Sequence, residues 1–136
     1  MPIEDTLEDG IAYHACSKDK AVKILESGFN PGSYFGSYEI AEYYTEDIRD
    51  NGEDAIILEV SLADLDLSAL RPDQNGIDEP LTYTLRKTEE DIWHEWEASD
   101  QSAEASIRII QSFVYANPIS PSLIREAEDT GYRRRF

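Results

Sequence analysis

Two serines, Ser17 and Ser37, each close a strand-like run and open an amphipathic one. A hydroxyl at that place accepts from the backbone N–H groups that a helix start leaves unpaired, so both serines predict helix N-caps. Before the first lies Gly10 to Cys16, which reads as a strand. Alternation puts Ile11, Tyr13 and Ala15 on one face and Ala12, His14 and Cys16 on the other. After it, Ala21, Val22, Ile24 and Leu25 form an apolar stripe, which predicts a helix over 18–27. Gly28 suits the position just past that helix, where φ is commonly positive, with Phe29 returning to Ile24. Asn30-Pro31-Gly32-Ser33 is a turn and Ser33-Tyr34-Phe35 a strand fragment. Ile40, Tyr44 and Ile48, spaced four apart, predict a second helix over 38–50, with Glu39 near its positive end. A chain that alternates strand and capped helix this tightly must pack helices on a sheet, which argues against a helical bundle.

The rest of the chain is less regular. Ala55 to Val60 is a nearly continuous apolar run and reads as a central strand. Ser61 and Asp64 have capping-box spacing and open a short helical turn. Residues 71–80 read as a polar loop, and Leu81 to Leu85 as a strand. Thr88 and Asp91 form another capping-box pattern, with Ile92, Trp93 and Trp96 on one side of a helix around 89–98. Ile107 to Ile110 and Ser112 to Tyr115 read as two strands, or one strand with a bend, ended by Pro118-Ile119-Ser120-Pro121. The fold class expected is α+β, one domain over 1–136: a split mixed or antiparallel β-sheet with flanking short helices and central strands 11–16 and 55–60.

Charge narrows the partners. A net charge of −17 on 136 residues repels nucleic acid backbones and favours a basic protein partner, or mimicry of nucleic acid toward one. Arg133-Arg134-Arg135 is the one basic cluster in the sequence, and its expected partners are the protein's own acids. No apolar run reaches a membrane span, and the acidic start lacks a signal-peptide pattern, so no membrane association and a cytoplasmic location are expected. Cys16 is the single cysteine, so an internal disulfide is excluded. Two histidines far apart and one cysteine make a poor zinc ligand set, and no metal is expected. A phosphate-binding glycine loop and a serine-hydrolase elbow are both missing from the sequence.

Two motifs carry a resemblance. Tyr13-His14-Ala15-Cys16 is a strand with a histidine between small residues. Gly32-Ser33-Tyr34-Phe35-Gly36-Ser37, followed by Ala41-Glu42-Tyr43, is a strand tyrosine ahead of a helix bearing alanine and a second tyrosine. In that order and spacing the chain resembles the ADP-ribosyltransferase superfamily, in its compact histidine-tyrosine form. The likeness covers residues 11–65, and 107–124 more weakly; within the superfamily it is closest in kind to small transferases of phages and mobile elements that act on host defence machinery.

The resemblance implies a specific site. NAD is the expected substrate. Tyr13, His14, Ala15, Tyr34, Phe35 and Tyr43 are the expected NAD contacts, and His14, Tyr34 and Gln111 the expected catalytic set. His14 would donate to a ribose hydroxyl on the adenosine or the nicotinamide side. Tyr34 and Tyr43 would bracket the nicotinamide ring. The family's acid falls just before its last strand, where this chain has Gln111, or Ser112 in the adjacent register. Glutamine accepts hydrogen bonds and brings no charge; Glu97 is the spare candidate. The implied reaction is transfer of ADP-ribose to a protein or other macromolecular acceptor. His14→Ala is expected to abolish it with little effect on stability. The alternative is a non-catalytic acidic module on the same fold, either a nucleic-acid mimic or an immunity-type protein that captures a basic partner.

Overall fold

The computed structural model describes Leu7 and residues 10–127. The strands are β1 (Ile11–Ser17), β2 (Ser33–Gly36), β3 (Ala55–Ser61), β4 (Leu70–Pro72), β5 (Ser112–Tyr115) and β6 (Arg125–Glu126). The helices are α1 (Lys18–Ser27), α2 (Tyr38–Asp50), α3 (Gln74–Asp78), α4 (Thr82–Leu85), α5 (Glu89–Ala98) and α6 (Ala103–Ile110). The strands form one sheet in the order β4-β5-β2-β1-β3-β6. Every neighbouring pair is antiparallel, so the sheet is not mixed among the described residues. The α+β class stands. The Arg133-Arg134-Arg135 cluster lies outside the described residues.

Its seams are unequal. β1 and β3 pair along their whole length, from Ile11 opposite Ser61 to Ser17 opposite Ala55. β2 and β5 pair from Ser33 opposite Tyr115 to Gly36 opposite Ser112. Between these halves, β1 and β2 share a single register pair, Tyr13 opposite Gly36.

Strand parity divides the core as the alternation of β1 predicts. On one face Ala12, Cys16, Leu58, Val60, Phe35, Phe113 and Tyr115 pack beneath α1 through Ala21. On the other, Tyr13 meets Tyr38 of α2 edge-on, with ring centroids 5.1 Å apart, and Ala41 closes the contact. A further cluster, Ile40, Ile77, Leu85, Ile92, Trp96, Ala105, Ile109 and Ile110, joins α2 to the later helices.

Both serine caps form. Ser17 Oγ accepts from the Lys20 N–H and Ser37 Oγ from the Ile40 N–H, each at 3.3 Å. Thr88 caps α5 by accepting from the Asp91 N–H at 3.1 Å. A 3₁₀ turn follows Ser61, over Leu62–Asp64, without a side-chain cap bond from that serine. Gly28 ends α1 at φ 89°, and a Cβ there would lie 2.1 Å from the Ile119 carbonyl oxygen, so only glycine fits.

Two expected strands are helices. Residues 107–110 belong to α6, which Ser102 caps by accepting from the Ala105 N–H at 3.1 Å. Ile107 enters the main core while Ile109 and Ile110 enter the helical cluster. α6 is amphipathic over its full length, with Glu104 and Arg108 exposed, but the four residues 107–110 taken alone are a short isoleucine-rich run that reads as a strand. Residues 81–85 likewise give α4. Leu81 and Leu85 both pack on the helical cluster, and a spacing of four fits a helix turn and a strand face equally. The polar stretch 71–80 contains β4 and α3.

Candidate functional site

The weak seam between β1 and β2 opens onto a cavity of about 530 Å³, within the range of small-molecule sites. His14 of β1, Tyr34 of β2 and Tyr44 of α2 line it, together with Asn75 and Gly76 of α3. Ile40, Ile48, Leu81, Leu85 and Ile110 supply its apolar wall.

His14 is partly buried, with Phe29 edge-on at 5.0 Å and Phe35 at 5.7 Å. Parity puts it on the sheet face opposite the one that α2 covers, against Phe29 and Phe35, so it borders the cavity at the seam and does not share a face with Tyr43, contrary to the expected arrangement. Its Nδ1 lies 2.6 Å from the Tyr34 carbonyl oxygen. A carbonyl only accepts, so Nδ1 carries the proton, and the neutral ring is left with Nε2 as an acceptor. Burial is the largest influence on the imidazole and lowers its pKa; the Tyr34 bond opposes that, and Lys20 adds to the lowering. In the neutral ring so bonded, Nε2 can accept and cannot donate, which differs from the donating role the resemblance implies.

Tyr34 is half exposed, and its hydroxyl accepts from Asn75 Nδ2 at 2.8 Å. Tyr44 is the second cavity tyrosine. Burial raises its pKa above the ordinary value, with Asp73, Tyr43, Asp47 and Glu79 adding to the rise. Tyr43 was the expected partner of Tyr34. It lies instead on a shallow groove with Glu39, Glu42, Glu46 and Tyr83, away from His14. Adjacent helix positions point about 100° apart, so the choice between neighbouring tyrosines could not be read from spacing alone.

Tyr13, Ala15 and Phe35 also border the cavity, the two aromatics as buried walls. Gln111 precedes β5 as expected but is not among the cavity-lining residues. It ends α6 in the left-handed conformation at φ 59°, and its amide oxygen accepts from Ser37 Oγ at 2.7 Å. Glu97 is exposed on α5, also away from the cavity. Ser112, the adjacent-register alternative, does line it.

Sequence reasoning missed the part played by α3. Asp73, Asn75 and Gly76 all reach the cavity from the stretch read as a polar loop. The available signal was Asp73 itself. It caps α3 by accepting from the Gly76 N–H at 2.9 Å, the local bond that aspartate favours at a helix start.

The cavity's ionic groups are uneven in sign. Among the described residues, Asp47, Glu53, Asp73 and Glu79 border it against one cation, Lys20. Such a wall favours positive charge inside, and leaves Lys20, beside Ser17 at the start of α1, as the cation for an anionic group.

Comparison with protein-family models, with curated proteins and with solved structures finds no match to this chain.

Proposed function

We propose that this protein binds NAD in the cavity at the β1–β2 seam and transfers ADP-ribose from it to a protein or other macromolecular acceptor. One observation carries the reading. A histidine from β1, a tyrosine from β2 and a tyrosine from α2 line one cavity at the seam where the sheet is least joined. Order along the chain supports the ADP-ribosyltransferase resemblance, and convergence in space supports it at His14 and Tyr34, with Tyr44 in place of the expected Tyr43.

The residues fit the ligand. Tyr34 and Tyr44 offer aromatic faces for the nicotinamide ring. Nε2 of His14 accepts from a ribose hydroxyl, and Lys20 answers the diphosphate. In the reaction the C1′–N1 bond of the nicotinamide riboside breaks. Its electron pair goes to the pyridine nitrogen, and neutral nicotinamide leaves. The anomeric carbon becomes cationic and is stabilised by the acidic wall. An acceptor nucleophile then bonds to that carbon and gives up its proton to solvent.

Calorimetric titration with NAD, paired with assay of nicotinamide release in the presence of a host lysate, tests this. Binding between micromolar and millimolar, with labelled ADP-ribose appearing on an acceptor, is the expected result. His14→Asn is the informative variant, because an amide nitrogen can keep the bond to the Tyr34 carbonyl while Nε2 is lost.

A second reading has its own observation. The outer groove of α2 combines Glu39, Glu42, Glu46, Glu89 and Asp91, against Arg86 and Lys87, with Tyr43 and the 96% exposed Tyr83. An acidic surface with exposed aromatic rings suits a basic protein partner. Absence of NAD binding, with tight capture of a basic protein that survives His14→Asn, would replace the transferase by an acidic binding module.

A further inference from the structure

Of the four carboxylates around the cavity among the described residues, Asp47, Glu53 and Glu79 are exposed and Asp73 is 7% exposed. Water screens the first three far more than the fourth. Asp73 is also built in place. Its Oδ1 accepts from the Gly76 N–H at 2.9 Å and its Oδ2 from Ser112 Oγ at 2.8 Å. Its own N–H donates to Ser106 Oγ at 3.0 Å, and that hydroxyl donates to the Ser112 carbonyl at 2.7 Å. Ser106 is fully buried and Ser112 nearly so. α6, β5 and the start of α3 thus converge on one carboxyl group.

No cation pairs with Asp73 among the described residues, whereas the buried Glu59 is held by Arg125 at 3.1 Å. Removing a carboxylate from water without a counter-charge is costly. Two hydrogen-bond donors lessen that cost but leave the charge uncancelled, and it acts on whatever occupies the cavity. Gly76 keeps the surroundings close, since a Cβ there would lie 2.7 Å from Asp73 Oδ2.

We propose that Asp73 is the catalytic carboxylate of this site, facing the anomeric carbon of NAD as positive charge develops there. The assignment rests on the transferase reading above. It places the acid on the segment between β4 and α3, where neither Gln111 nor Glu97 supplies it. Ser112, at the position where the acid was sought, acts as a positioning residue by donating to Asp73. When the C1′–N1 bond breaks, the electron pair leaves with nicotinamide and the cation at C1′ sits in the field of Asp73 until the acceptor bonds. No proton passes through Asp73 in this step.

Asp73→Asn keeps an oxygen for the Gly76 N–H and removes the charge. Its kcat for nicotinamide release should fall about 10²-fold, with the NAD KM changed less than about threefold. The unliganded variant should melt no lower than the parent, because an uncompensated buried charge is gone. N1-methylnicotinamide, a permanent cation, should bind the parent more tightly than neutral nicotinamide, and the variant should lose that preference. Ser112→Ala keeps the charge and should lower kcat about tenfold at unchanged KM, which serves if Asp73→Asn does not fold. Glu97→Gln should leave kcat unchanged. A parent protein that releases nicotinamide, with kcat unaffected by either Asp73→Asn or Ser112→Ala, overturns the assignment alone. So does loss of turnover in Glu97→Gln, or a lowered melting temperature in Asp73→Asn as its sole effect. A parent that neither binds NAD nor releases nicotinamide overturns the transferase reading and the assignment together.

Discussion

His14 has one duty that the structure shows and one that belongs to the proposed site. Nδ1 ties β1 to the Tyr34 carbonyl across a seam with a single register pair; Nε2 is the atom proposed to accept from NAD. His14→Ala therefore leaves a carbonyl without its donor and empties the space beside Phe29 and Phe35. The expected cost is about 1–3 kcal/mol by urea unfolding, contrary to the small effect that sequence alone suggested. His14→Asn should cost less. The imidazole also makes stability depend on pH. Its folded pKa is depressed below the usual 6.5 by burial. Its contribution is complete above 6.5 and is lost as pH falls through the folded value. Unfolding curves between pH 7.5 and 5 should show that loss in the parent and much less of it in His14→Asn. Cys16, two residues on, is buried in the core, and burial raises its thiol pKa to about 11. Native protein should react with a thiol reagent far more slowly than unfolded protein.

Among the elements, those with local stop and start chemistry were legible in the sequence. Ser17, Ser37 and Thr88 located three helix starts, Gly28 one helix end, and the alternation of Ile11 to Cys16 the faces of β1. What stayed hidden was set by tertiary surroundings. The strand-like Ile107–Ile110 is the end of a helix that Ser102 caps, and its broad buried face meets both apolar clusters. α3 is five residues long and too short to show a period, so its two cavity residues, Asn75 and Gly76, and the cap Asp73 read as loop. At the site, His14 and Tyr34 were legible from spacing. Tyr44, Asn75 and Asp73 were not, since their convergence depends on how α2 and α3 pack. Ser106 shows how tightly these elements are joined. Its hydroxyl satisfies the Asp73 N–H and the Ser112 carbonyl at once, out of water. Ser106→Ala leaves both without that partner and should destabilise by about 2 kcal/mol or more in chemical denaturation. Gly28→Ala should be at least as damaging, because its φ of 89° is strained for alanine and the added Cβ meets the Ile119 carbonyl oxygen.

At the scale of the whole molecule, charge and the uneven sheet set behaviour. A net charge of −17 repels itself in the compact state. Added sodium chloride should therefore raise the melting temperature between about 10 and 500 mM by shortening the screening length. A protein whose melting point fell over that range would have attractive ion pairs outweighing the repulsion. The sheet has a different consequence. Within the sheet, β1 with β3 and β2 with β5 pair along several residues, while one register pair and one imidazole bond join these two groups across the seam, backed by α2 and the shared core. Such a sheet resembles two stiff plates on a narrow hinge, with the cavity along the hinge line. A molecule gripped by both plates restricts their relative swing. Its occupancy would then be felt as slower amide hydrogen exchange at Tyr13 and Gly36, the one register pair that joins the two groups.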